Sequence, residues 1–215
     1  MIVADIAQHM TWYVARSSGL IAFIILTVST AIGLTLSTRL FDKSVAPAWL
    51  LGMHRYCGAL GIFATLAHLV ALFLDKAVNF TIADLLIPFA ASWRPGAIAW
   101  GIAAFWCLIM VEATSLLMRK MSRKIWHTIH MTSFVMFASA LVHGLQSGAD
   151  AHQRVVQVGA ITTTMTVLFL GLVRYLAPRR QTAIRVPRTP TAQGAPTTRA
   201  SRQAGPSIET NSAAV

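Results

Sequence analysis

Residues 54–68 read HRYCGALGIFATLAH, a largely apolar stretch with a histidine at each end. An ionisable side chain inside a membrane helix is energetically costly and by default marks function. Fourteen residues of α-helix rise by about 21 Å in just under four turns, so His54 and His68 lie on one helix face. The residues between them on that face are all small: Gly58, Gly61 and Thr65. Such a stripe lets a neighbouring helix, or a flat macrocycle, approach the backbone closely, and we interpret it as one wall of a slot with a ligand at each end.

A second apolar stretch contains His130 and His143, thirteen positions apart. Thirteen residues give about 20 Å of rise but not a whole number of turns, so the two side chains diverge in azimuth on an ideal helix. Helix tilt, histidine rotamers or local tightening would have to bring them into line. One further apolar run lies between the two stretches, which makes their helices parallel. Matching by depth therefore pairs His54 with His130 and His68 with His143.

The composition places these stretches in a bilayer. Of the 215 residues, 55% are hydrophobic and 12% charged, and the mean hydropathy is +0.61, which is too apolar for a soluble domain of average usage. A membrane helix needs roughly 20 apolar residues to cross a hydrocarbon core about 30 Å thick. Five runs meet this requirement: 19–37, 48–74, 96–118, 126–145 and 155–176. We predict an all-α membrane protein, a bundle of about five transmembrane helices, preceded by an extracytoplasmic segment at 1–18.

The N-terminus and the basic residues set the expected topology. The N-terminus shows neither a basic leader nor a small-residue cleavage site, so the first run is expected to be a retained helix. Lysines and arginines favour the cytoplasmic side of membrane proteins. One side of the bundle collects ten: Arg39, Lys43, Arg55, Arg119, Lys120, Arg123, Lys124, Arg174, Arg179 and Arg180. The other side has four: Arg16, Lys76, Arg94 and Arg154. We therefore expect the N-terminus outside and the C-terminus in the cytoplasm.

The formal net charge of +11 is explained by this topology and by the C-terminal tail. Residues 178–215 contain six of the eighteen Lys and Arg residues and are poor in large apolar side chains. We predict a disordered, basic cytoplasmic tail that is suited to anionic lipid headgroups. Membrane lipid is thus an expected partner, and nucleic acid is not.

Two imidazoles that face each other inside an apolar bundle usually hold a haem iron, with both axial positions filled. A zinc site would need four ligands, usually including cysteine or carboxylate, and neither depth offers them. Cys57 and Cys107 lie in apolar helices without a paired motif and are expected to be packing residues. The alternative is that each histidine hydrogen-bonds a neighbouring helix as packing glue.

At this level of detail the chain resembles a known family. The segments MHRYCGALGIFATLAHLVALFLD (53–75) and RKIWHTIHMTSFVMFASALVHG (123–144) resemble the ferric reductase-like transmembrane domain superfamily, as do ARSSG (15–19) and FTIADLLIPFAASWRP (80–95). The resemblance implies a haem-binding domain over 19–177 with two b-type haems. Their axial ligands would be His54, His68, His130 and His143, at the family's spacings of 14 and 13. It also implies a small bacterial member in the inner (plasma) membrane.

The chain departs from the family's oxidases in lacking a flavin and nicotinamide-nucleotide module. The tail is too short for a dinucleotide-binding unit, and the sequence has no GxGxxG. No flavin or NAD(P) site is therefore expected, and electrons must come from a separate flavoprotein reductase or from quinol. Three hypotheses follow: a di-haem b cytochrome that transfers electrons across the membrane, a quinol-linked haem subunit that feeds a periplasmic reductase, and a haem-free structural or transport protein. Whether the chain is itself an enzyme, and what its acceptor is, stay open.

A few polar residues near the histidines have alternative roles. Arg55 and Arg123 are predicted either to bind the carboxylates of a cofactor or to anchor the helices at the membrane interface. Arg16 and Arg94 are predicted either to serve the outer haem or an outer substrate site or to be solvated at the membrane interface, and we favour the interface role. Glu112 is the only acid deep in an apolar run, and we favour pairing with a nearby Arg or Lys over a place in a quinone site.

Overall fold

The computed structural model describes residues 2–38, 47–76, 78–148 and 151–176, without the side chains of 2–9 and 47. The described part contains helices and no strands, which confirms the all-α class. The helices are α1 (Ile2–Thr38), α2 (Pro47–Leu74), α3 (Ile82–Leu86), α4 (Pro95–Leu116), a 3-10 turn (Met118–Lys120), α5 (Arg123–His130), α6 (Ser133–Ser147) and α7 (Arg154–Leu176). The tail predicted at 178–215 lies outside the described residues.

Five helical stretches are long and apolar enough to cross a membrane, as the sequence predicts. They are Met10–Thr38, Ala48–Leu74, Pro95–Leu116, Arg123–Ser147 and Arg154–Leu176. The start predicted for the first helix is wrong, because α1 begins at Ile2 and includes most of the segment expected to precede it. That segment has no glycine or proline to stop a helix.

The helices pack mainly as two close pairs, α1 with α2 and α4 with α6, while α2 and α4 touch only sparsely. One face of α1 allows this close approach because most of its side chains are small. It carries Ala15, Gly19, Ala22, Leu26, Ser29 and Gly33 at alternating spacings of four and three. The corresponding face of α4 carries Ala97, Gly101, Ala104, Leu108, Val111 and Ser115 at the same spacings. A cluster of Leu34, Phe137 and Val167 joins α1, α6 and α7.

The connection between α2 and α4 is held by specific polar contacts. Thr81 and Asp84 form a capping box at the start of α3, in which the Asp84 backbone N–H donates to the Thr81 hydroxyl oxygen. The Asp84 carboxylate in turn accepts from the Thr81 backbone N–H and from the Thr81 hydroxyl. These two hydrogen bonds lower the pKa of Asp84. Arg94 has a left-handed backbone conformation at the start of α4 and donates to the carbonyl of Gln146 at 2.7 Å. Arg94 thus ties the start of α4 to the end of α6.

The fourth span is not one continuous helix. It breaks at Met131 and Thr132, where Thr132 and Phe134 form backbone hydrogen bonds to residues three positions earlier instead of four. The Thr132 hydroxyl donates to the Ile129 carbonyl at 2.7 Å, a side-chain bond that competes with the helical ladder. The break lies between His130 and His143, so local tightening, one of the three adjustments considered for their thirteen-residue spacing, is present.

Candidate functional site

The four intramembrane histidines meet as two pairs. The ring centroids of His54 and His130 are 6.0 Å apart, and those of His68 and His143 are 6.4 Å apart. The planes of the rings are steeply inclined to each other, by 70° in the first pair and 79° in the second. The pairing predicted from depth is therefore confirmed, with one ring from α2 in each pair and the other from α5 or α6.

The separation within each pair fits a shared metal ion. With about 2 Å from a metal to an imidazole nitrogen and about 1.1 Å from that nitrogen to the ring centre, two rings on opposite sides of one metal have centroids about 6.3 Å apart. Two rings joined by a direct hydrogen bond of about 2.9 Å would have centroids only about 5.1 Å apart. Both observed distances are close to the first value, and they also lie within the range of about 4.5–7 Å of ordinary edge-to-face ring packing.

Three of the histidines have their Nδ1 atom bound to a backbone carbonyl of a neighbouring helix. His54 donates to Ser29 at 2.9 Å, His68 to Ala15 at 2.6 Å and His143 to Ala97 at 2.8 Å. A carbonyl only accepts, so Nδ1 carries the proton and the lone pair is on Nε2. Histidines that bind metals are oriented in this way by their second nitrogen. Helix packing uses the same bonds, so the approach of the rings in pairs is what separates the two interpretations.

The same three histidines each pack against a glycine that lies one turn beyond the carbonyl they use. A Cβ added to Gly101 would lie 2.7 Å from Nδ1 of His143, and one added to Gly19 would lie 2.9 Å from Nδ1 of His68. At Gly33 the added Cβ would lie 3.1 Å from Cε1 of His54. These glycines provide the space that the rings occupy.

These glycines were missed in the sequence, although a signal for them exists. Gly19 and Gly33 are fourteen residues apart on α1, the same spacing as His54 and His68 on α2. A matched spacing on consecutive apolar helices indicates that the two sets of residues face each other across one interface.

His130 is held differently from the other three. Its Nδ1 is 3.5 Å from the Ser115 hydroxyl, the longest of the four contacts. Ser115 stands where the other sites have glycine, and its hydroxyl donates to the Val111 carbonyl at 2.7 Å. Instead, the ring of His130 stacks on Trp126, with centroids 4.9 Å apart and planes 25° apart.

The stripe of small residues on α2 has two different neighbours. Gly61 makes room for Leu26 of α1, so at this position the stripe accommodates a helix, and the predicted cofactor wall finds no support there. Gly58 faces the side chain of Glu112 on α4, in the sparsely packed space between the two helix pairs. A cofactor-facing role for Gly58 stays a prediction.

The basic candidates lie at the ends of the spans. Arg55 and Arg123 are exposed, a position that suits both of their predicted roles. Arg16 lies over the ring of Trp12 at 4.0 Å, and Arg94 bonds the Gln146 carbonyl, so both have structural contacts.

In the part of the chain that the structure describes, Glu112 does not have the partner expected from the sequence. Within the described residues it makes neither an ion pair nor a hydrogen bond, which corrects the interpretation that it pairs with a nearby Arg or Lys. The reason is geometric, because Glu112 faces Gly58 across the gap while the basic side chains lie at the ends of the helices. The described ranges also contain no group of three or more His, Cys, Asp or Glu side chains that could hold a metal ion.

Comparison with protein-family models, curated proteins and solved structures gives no match for this chain.

Proposed function

We propose that the chain is a transmembrane di-haem b cytochrome, similar to the ferric reductase-like superfamily, that transfers electrons across the membrane. His54 and His130 would be the axial ligands of one haem, and His68 and His143 those of the other. The observation that carries the proposal is the pair of ring separations, 6.0 and 6.4 Å, which match two imidazoles on one iron. Haem iron bound by two histidines supplies one-electron oxidation and reduction and has no open position for oxygen.

The two sites together bridge most of the bilayer. His54 and His68 are separated by about 21 Å of helix rise, against a hydrocarbon core of about 30 Å. We propose that the His54–His130 site lies toward the cytoplasm of a bacterial cell and the His68–His143 site toward the outside, with the N-terminus outside and the C-terminus inside. Electrons would enter from a flavoprotein reductase or from quinol. Arg55 and Arg123 would lie at the cytoplasmic end of the bundle, where they could bind the carboxylates of the cofactor at the His54–His130 site.

The proposal predicts that the chain transfers electrons across the membrane of a lipid vesicle. Liposomes that contain the haem-loaded chain and trapped ferricyanide should lose the ferricyanide colour when dithionite is added outside. His68→Ala, which removes one of the two sites, should slow this to the rate of protein-free liposomes, and His127→Ala should not. Equal bleaching with and without the protein would contradict the electron-transfer function.

Glu112 favours a second candidate, the quinol-linked subunit. Oxidation of a quinol releases protons as well as electrons, and intramembrane carboxylates serve as proton acceptors. Glu112 has no bonding partner within the described residues and lies against Gly58, one turn from His54. When reduction of the haems in the detergent-purified chain is followed directly with a short-chain quinol as donor, Glu112→Gln should slow it by roughly 10²-fold while the rate with dithionite is unchanged. Equal quinol rates for the two chains would remove this candidate.

A further inference from the structure

The indole of Trp126 has a buried donor that lacks an acceptor. Its Nε1 atom is inaccessible to solvent and has no hydrogen-bond partner within the described residues. Leaving a buried donor unsatisfied in this way is energetically costly. Trp106 shows the ordinary arrangement, since its Nε1 donates to the Leu86 carbonyl at 3.0 Å. An unsatisfied buried donor requires an explanation, and an acceptor supplied by a bound molecule is one that the surroundings of Trp126 can be tested against.

The position of Trp126 connects this donor to the histidine pair. Trp126 lies one turn before His130 on α5, and the two rings stack at 4.9 Å. Among the described residues, His130 is also the one of the four histidines that has neither a backbone carbonyl on Nδ1 nor a glycine behind its ring. Stacking on Trp126 therefore replaces the contacts that orient the other three rings.

We propose that Trp126 is a positioning residue of the His54–His130 site with two roles. Its ring fixes the orientation of His130, and its Nε1–H donates to a carboxylate of the cofactor bound there. Haem b carries two such carboxylates, and the exposed Arg55 and Arg123 at the same end supply the positive charge that a carboxylate requires. The inference rests on the proposed function and adds a ligand-binding residue to it.

The two roles can be separated by substitution. Trp126→Phe keeps a ring to stack on His130 but removes the N–H group, and Trp126→Leu removes both. The matched control is Trp49→Phe on α2, because Trp49 lies near the same end of the bundle and is 61% exposed. Haem content, the midpoint potential of each haem and the low-spin electron paramagnetic resonance (EPR) signal of the oxidised protein are measured for all four chains.

Trp126→Phe should keep two haems per chain and lower the midpoint potential of one, because a carboxylate without its hydrogen bond places more negative charge near the iron. Trp126→Leu should show the same shift and also change the EPR signal of that haem, since this signal depends on the angle between the two imidazole planes, here 70°. Trp49→Phe should match the unmodified chain in all three readouts.

Two results would overturn the inference. One is a midpoint potential of Trp126→Phe equal to that of the unmodified chain, and the other is an unaltered EPR signal in Trp126→Leu. If both variants fail to fold, the unmodified chain loaded with the dimethyl ester of haem replaces them. The inference then requires a lower affinity for the ester than for haem, and equal affinities would contradict it. Absence of haem from the unmodified chain would instead refute the proposed function.

Discussion

His68→Ala and His143→Ala should each leave the chain with one haem in place of two, and both variants should retain the same haem. His54→Ala and His130→Ala should each lose the other one. The physical reason is that a bis-histidine haem depends on both imidazoles, so the loss of either histidine of a pair is sufficient to abolish that haem site. The measurement is haem content per chain, together with redox titration to identify which of the two midpoint potentials remains.

The matched control for this series is His127→Ala. His127 is in the same helix as His130 but has an exposed side chain. The His127→Ala variant should therefore keep both haems. The most specific part of the prediction is which two variants lose the same haem. If His68→Ala and His143→Ala lost different haems, the pairs assigned here would be wrong even if the chain bound haem.

Gly101→Ala should eliminate the haem of the His68–His143 site without removing a ligand. The added methyl group would lie 2.7 Å from Nδ1 of His143, so the imidazole must leave its place against α4 and lose its bond to the Ala97 carbonyl. Overpacking of this kind typically costs about 1–3 kcal/mol. Haem content and thermal unfolding of the variant measure the two effects.

Two further glycines calibrate this experiment. Gly144 follows His143 directly and would have no atom within 4 Å of an added Cβ, so Gly144→Ala should keep both haems. Gly33→Ala should have a weaker effect, confined to the His54–His130 site, because its methyl group would lie 3.1 Å from the ring of His54. Two intact haems in Gly101→Ala would show that the ring of His143 does not need the position described here.

The membrane spans and the histidine pairs could be predicted from the sequence because both follow from local regularities. Apolar length defines a span, and rise per residue converts the positions of His54, His68, His130 and His143 into matched depths. The predicted start of α1 at residue 19 was wrong because hydropathy marks the stretch that lies in the membrane core, whereas the helix itself begins earlier, at Ile2. The break at Thr132 could be anticipated only as one of three adjustments that would reconcile the thirteen-residue spacing of His130 and His143.

The contacts around the histidines could not be predicted, because they depend on residues distant in the chain. His68 bonds the carbonyl of Ala15, and His143 bonds that of Ala97. A backbone carbonyl has no signature in the amino-acid sequence. The fourteen-residue spacing of Gly19 and Gly33 becomes a signal only when it is set beside the same spacing of His54 and His68. Trp126 was passed over because stacking and an unpaired N–H become visible only once the helix is placed. The ion pair expected for Glu112 could not be checked from the sequence for the same reason, because it depends on where the helices place the basic side chains.

The central claim is that two haems are bound by two histidine pairs, and the most direct test is a visible difference spectrum. Dithionite-reduced minus oxidised spectra are recorded on detergent-purified protein produced with ample haem, and haem is determined per chain. We predict about two low-spin b-type haems per chain, one for each pair of rings. Protein without haem under these conditions would contradict the account and leave the histidines as contacts between helices.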